Sequence, residues 1–189
     1  MDEIIRAFRK SGRAAFRTRE YGALLGKRGY ARLALHRLKL REEIISVRNG
    51  WWAFPDSVPE AIACEVSTPC YVSFHSALFL HGLTTQVPRT IQLAVSRQAR
   101  RYVIAGVEAK EYRIKKASFT GFQRKDALLL ASPEKAVADS LNLPRACPDV
   151  VLAEAIRGID KEIVEGMLVT AAAKKRLKRL ILYAESERT

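Results

Sequence analysis

The stretch that decides the fold runs from Arg28 to Asp56, RGYARLALHRLKLREEIISVRNGWWAFPD. It begins with a helical repeat and ends with an alternating one. From about Tyr30 to Leu40, apolar residues recur at Ala31, Ala34, Leu35 and Leu38, the spacing of one helix face. The opposite side carries Arg28, Arg32, His36 and Lys39, nearly an i, i+4 row of cations. Ile44 to Arg48 is rich in β-branched residues and reads as a strand. Asn49-Gly50 follows, a pair that tolerates φ > 0 at both positions and closes a two-residue hairpin. Trp51 to Phe54 return as the second strand, and Pro55-Asp56 end it.

Two more helices precede this stretch. Ile4, Ile5 and Phe8 share a face within residues 3–9, and Ser11-Gly12 end that helix. Thr18 is the expected N-cap of a short helix over Arg19–Leu25, and residues 26–29 form a tight turn. Three helices and then a β-hairpin is the winged helix-turn-helix order, so residues 1–56 are expected to form such a domain. An amphipathic helix with a basic outer row suits the major groove of duplex DNA: its charges meet phosphates, and Arg can read guanine through two hydrogen bonds. The expected DNA contacts are Arg17, Thr18, Arg19, Lys27, Arg28, Tyr30, Arg32, His36 and Lys39, with Arg48 and Asn49 at the wing tip. Trp51, Trp52 and Phe54 fit wing packing.

Charge points the same way. Of 189 residues, 33 are Lys or Arg and 20 are Asp or Glu, a net charge of +13. Residues 1–58 hold 13 basic and 6 acidic side chains, so +7 of that excess lies in the first third. Such a chain expects a polyanion. The hydrophobic fraction of 48% is that of a globular protein. No apolar run approaches the roughly 20 residues of a membrane span, so no membrane partner is expected. The acidic start Met1-Asp2-Glu3 lacks a signal-peptide pattern, and three irregularly spaced cysteines (Cys64, Cys70, Cys147) fit reduced thiols. A cytoplasmic location is expected on those grounds.

Residues 57–189 read as an α+β domain with a small sheet and a helical end. Expected helices cover 59–64, Tyr71 to about His81 with Gly82 as cap, and Ser132 to Leu141 with Pro133 at its first position. Expected strands are Ile91–Val95, Tyr102–Ile104, Val107–Ile114 and Ala127–Leu130. A basic turn spans Arg97 to Arg101. The tail is expected to be helical over 150–156 and from Lys161 onward, with a break near Gly166. Arg97, Arg100 and Arg101, and Lys174, Lys175, Arg176, Lys178 and Arg179 of the last helix, are candidate secondary polyanion contacts.

No catalytic set emerges. Cys64, Cys70, His75 and His81 lack the C-x-x-C spacing of a zinc knuckle. Glu108 and Lys110 resemble half of a metal-dependent nuclease site, but no acid lies between Glu65 and Glu108 to complete it. Gly-rich phosphate loops and a nucleophile elbow are missing. The reading is a non-enzyme without cofactor or metal. A winged-helix-targeted nuclease and a winged-helix protein-interaction module are the alternatives.

Ser73-Phe74-His75-Ser76-Ala77-Leu78-Phe79-Leu80-His81-Gly82-Leu83, then Pro88 and Ile91 to Val95, then Ser132-Pro133-Glu134-Lys135-Ala136, resembles the AbiEi-type antitoxins. These belong to abortive-infection toxin–antitoxin systems, usually classed as type IV. The preceding winged helix matches the same family, so the resemblance covers roughly residues 10–145. It implies a phage-defence protein that represses transcription of its own toxin–antitoxin operon by binding inverted repeats in the promoter. It also implies that the second domain counteracts a nucleotidyltransferase-like toxin.

Overall fold

The computed structural model describes residues 2–125 and 128–186. The chain is mixed α+β with two sheets. It divides into two compact units: residues up to Thr68 together with Val103–Val107, and Pro69–Tyr102 together with Glu108 onward. The first unit thus runs past residue 56 to take in a fourth helix.

In the first unit α1 spans Glu3–Lys10, and Asp2 caps it by accepting from the Ile4 and Ile5 amides. A three-residue strand β1 (Ala15–Arg17) leads directly into α2 (Thr18–Leu25). Gly26 closes α2 at φ 69°, a left-handed cap that glycine adopts without penalty. A 3₁₀ turn over Arg28–Tyr30 enters α3 (Ala31–Leu40). The hairpin β2 (Ile45–Arg48) and β3 (Trp51–Ala53) turns at Asn49-Gly50, with Gly50 at φ 78°. Strand β3 lies between β1 and β2, antiparallel to both, with a bulge between Ser46 and Arg48. Strand β1, unexpected from sequence, thereby makes the sheet three-stranded. The core joins Ile5, Phe8, Phe16, Tyr21, Leu35, Leu38, Ile44 and Phe54. Each such side chain contributes about 1.5–3 kcal/mol on burial. Helix α4 (Pro59–Ser67) completes the unit.

A six-stranded sheet in the order β6-β7-β5-β4-β9-β8 lies largely in the second unit, with Val103–Val107 counted in the first. Its strands are β4 (Cys70–Val72), β5 (Ile91–Val95), β6 (Arg101–Ile104), β7 (Val107–Arg113), β8 (Phe122–Lys125) and β9 (Leu128–Ala131). The central strands β5 and β4 run antiparallel, while β5–β7 and β4–β9 pair in parallel. Helix α5 covers Phe74–Leu80 and α6 Pro133–Asn142. Helices α7 (Asp149–Ile156), α8 (Lys161–Gly166) and α9 (Ala171–Ser186) form the tail.

Two differences from the sequence reading are informative. The helix expected from Tyr71 begins only at Phe74, because Cys70–Val72 are taken up as a central strand. A short apolar run carries no period that separates strand from helix. Phe74 stands at the junction with φ 57°, a left-handed backbone that non-glycine residues rarely adopt. Strand β8 was also missed: an edge strand reading Phe-Gln-Arg-Lys has no buried face to betray it. Ala127, the expected first residue of β9, lies outside the described residues. Among the described residues, no helix is long and apolar enough to cross a membrane.

Candidate nucleic-acid interface

The α2–α3 pair is held close by small residues. A Cβ on Gly22 would sit 3.1 Å from the Ala31 Cβ, so glycine lets the two helices approach. Ala31, Leu35 and Leu38 are buried, which fixes how α3 is rolled. Successive positions on a helix are about 100° apart. Arg32, His36 and Lys39 therefore form an exposed row on one flank of the buried stripe, with Arg28 in the turn before them. The row flanks the apolar stripe instead of opposing it. The most outward positions belong to Leu33 and Leu40, 46% and 71% exposed. On the other flank Arg37, which sequence reasoning passed over, donates to the Tyr30 hydroxyl at 2.6 Å. The Arg37 guanidinium also lies 5.7 Å from the Tyr30 ring centroid.

The hairpin is tied to the start of α2. The Thr18 amide donates to the Gly50 carbonyl at 2.9 Å, and the Thr18 hydroxyl accepts from Trp52 Nε1 at 2.9 Å. Thr18 is consequently the first residue of α2 and not its N-cap. The cap position falls to Arg17, whose amide donates to Glu20 at 2.6 Å. The Arg17 guanidinium stacks on Trp51, 4.6 Å from the ring centroid. Burial by itself raises the Glu20 carboxyl, but the Arg13 guanidinium and the Arg17 amide outweigh it and hold the group below its ordinary value. Arg19, Lys27, Arg28, Tyr30, Arg48 and Asn49 are exposed on this unit. Arg17 and Thr18 are half-buried and partly committed to holding the hairpin.

The candidate secondary contacts divide. Arg97 chelates Glu111 with two hydrogen bonds of 2.7 and 2.9 Å, and the Glu111 side chain is only 1% exposed. Glu111 also accepts from the Arg100 amide, so the turn is anchored to β7. Arg101 pairs with Glu108 at 2.8 Å. Arg97 is therefore engaged in an ion pair that anchors this turn. Arg176 is engaged in a comparable way. Its Nε donates to Asp149 at 2.8 Å, and its terminal nitrogens reach the carbonyls of Ser140 and Cys147 at 2.9 and 3.0 Å. Arg179 shares Asp149 at 2.6 Å. Lys174, Lys175 and Lys178 remain exposed.

The residues weighed for metal chemistry have other engagements. A ring nitrogen of His75 lies 2.8 Å from the Gln86 carbonyl, and one of His81 lies 2.8 Å from that of Ala131. Lys110 lies over Tyr112, 4.8 Å from its ring centroid. The three cysteines are buried and unbridged, and burial pushes the Cys147 thiol up to about 12. Among the described residues, no group of three or more His, Cys, Asp or Glu is placed to hold a metal ion.

The fold and this surface define a mixed α+β protein whose first unit exposes a basic helix beside a β-hairpin. No family model matches the chain, and no curated protein matches it. Among solved structures, it is similar to the crystal structure of the RV2827C protein from Mycobacterium tuberculosis. The two are 16% identical with a TM-score of 0.67, and the match covers 96% of this chain and 75% of that one. At that identity the likeness is one of fold.

Proposed function

We propose that the first unit is a winged helix-turn-helix that binds duplex DNA, and that the chain is the cytoplasmic autorepressor and antitoxin of a toxin–antitoxin operon. The observation that carries the DNA reading is the exposed row Arg28, Arg32, His36 and Lys39 on a helix whose roll is fixed by Ala31, Leu35 and Leu38. In this reading α3 enters the major groove. Arg28 and Arg32 reach phosphates or guanine edges, and Leu33 at the outermost position meets a thymine methyl. The hairpin tip, Arg48-Asn49, follows the backbone into the adjacent minor groove. The antitoxin part rests on the resemblance of Ser73–Leu83 and Ser132–Ala136 to AbiEi-type antitoxins. It makes a nucleotidyltransferase-like toxin the functional partner.

The test is fluorescence anisotropy with the duplex upstream of the chain's own gene and a shuffled duplex. Preference for the native duplex, lost on Arg32→Ala in a variant of unchanged melting temperature, supports the reading. Equal binding to both duplexes would sink it. The antitoxin part is checked by co-expression with the neighbouring gene: growth arrest relieved by this chain is the expected result, and arrest without relief is the contrary one.

A further inference from the structure

The second unit contains a cleft that the DNA reading does not use. Its floor is one face of α6, where Lys135, Asp139 and Asn142 follow at helical spacing. One wall is the segment from Arg113 to Thr120, and the other is Gly166–Thr170. Asn142 ties the second wall down: its amide donates to the Met167 carbonyl at 3.3 Å and accepts from the Val169 amide at 3.0 Å. The cleft has two recesses of about 260 and 320 Å³ that share Ser118 and Val169. Together they fall in the size range of small-molecule sites, about 300–1,000 Å³.

The floor is charged and buried. Lys135 and Asp139 are 4% and 2% exposed. Asp139 accepts from Lys135 Nζ at 2.6 Å, and from the Tyr71 and Ser73 hydroxyls at 2.8 Å each. Its carboxylate is therefore satisfied by three donors. Lys135 Nζ also lies 5.9 Å from the Tyr71 ring centroid, with hydrogen-bonding capacity to spare. An ammonium has three N–H donors, and among the described residues Nζ makes one hydrogen bond, to Asp139. The stem of Lys135 is fixed under Gly121, where a Cβ would come within 3.1 Å of it. At the mouth, Arg113 and Lys115 are exposed and carry no ion pair among the described residues. Among the described residues Asp139 is the one acid lining either recess, and Lys135 pairs with it. Ile114, Leu143 and Val169 add apolar surface to the walls.

Spare buried donors, two free cations at the mouth and apolar walls select a small molecule with one strong anion and a less polar body. We infer that this cleft binds a phosphate monoester, its phosphate held by Arg113 and Lys115 and a further polar group by Lys135. A phosphate accepts charge-assisted hydrogen bonds from Arg and Lys. Nucleotides and sugar phosphates share this chemistry, and the probes separate them.

The full chain is titrated calorimetrically with inorganic phosphate, with AMP, CMP, GMP and UMP, and with glucose 6-phosphate. At least one ester is expected to bind at least about tenfold more tightly than inorganic phosphate, a gain of about 1.4 kcal/mol from its body. The ester that wins names the source. The double variant Arg113→Ala, Lys115→Ala should weaken that ester about tenfold or more while the ligand-free melting temperature stays put. Ser118→Trp, which fills both recesses, should abolish binding. Esters no tighter than inorganic phosphate, or binding that survives both variants, would overturn the inference. Neither readout involves DNA, so this proposal and the DNA reading fail separately.

Discussion

Two arginines of similar appearance in the sequence have opposite expected consequences when changed. Arg32 is exposed on α3 and packs against nothing that the core needs. Arg32→Ala should cost about 1–3 kcal/mol of specific DNA binding if the side chain reads a base, with the melting temperature unchanged. Arg176 sits in the run Lys174 to Arg179, yet its guanidinium satisfies Asp149 and two carbonyls. Arg176→Ala removes that donor from the two carbonyls and leaves Asp149 with Arg179 alone, and should destabilise the second unit by about 2–3 kcal/mol, measured by chemical denaturation, while DNA affinity holds. The contrast was invisible in the sequence because the partner Asp149 lies 27 positions away. A cation in a basic run looks the same whether or not a distant carboxylate turns toward it. The row on α3 was legible, since periodicity alone assigns Ala31, Leu35 and Leu38 inward.

Among the elements, the α2–α3 contact is the sensitive one. Gly22→Val would force branched carbons into a space where even one Cβ stands 3.1 Å from Ala31. Overpacking of this kind costs about 1–3 kcal/mol, and here it should also splay α3 and lower DNA affinity. The hairpin tie offers a milder test. Trp52→Phe keeps an aromatic ring but removes the pyrrole half with its donor to Thr18, so a loss of at least about 1 kcal/mol in stability is expected. The long periodic helices and the Asn49-Gly50 hairpin were readable because each announces itself locally. Strands β1 and β4 were not, being three residues each and defined by their neighbours in the sheet. The cleft was illegible for a related reason. Lys135 reads as an outward residue of an ordinary helix start, and Asp139 carries no signal of its own in the sequence.

At the scale of the whole molecule, the net charge of +13 predicts that the proposed association with DNA is strongly salt-dependent. If about six phosphates are neutralised, log K should fall with log salt at a slope near −5. Acid should act on the first unit through Glu20. Its carboxyl is held below its ordinary value, so the stability it contributes is present above about pH 4.3. That contribution is lost as pH falls through the lowered value. Glu20→Gln should flatten this acid limb in a denaturation series from pH 7 to about pH 3, and a limb of undiminished steepness would contradict the role.

Both tryptophans of the chain lie side by side in β3. Its intrinsic tryptophan emission therefore originates in the first unit alone. One indole stacks under a guanidinium and the other is bonded through its N–H to the start of α2. Anything that draws Arg17 toward a phosphate unmasks Trp51 and changes its colour and yield. The molecule carries a built-in optical probe that reports on its hairpin, so the proposed DNA contact can be followed without a label.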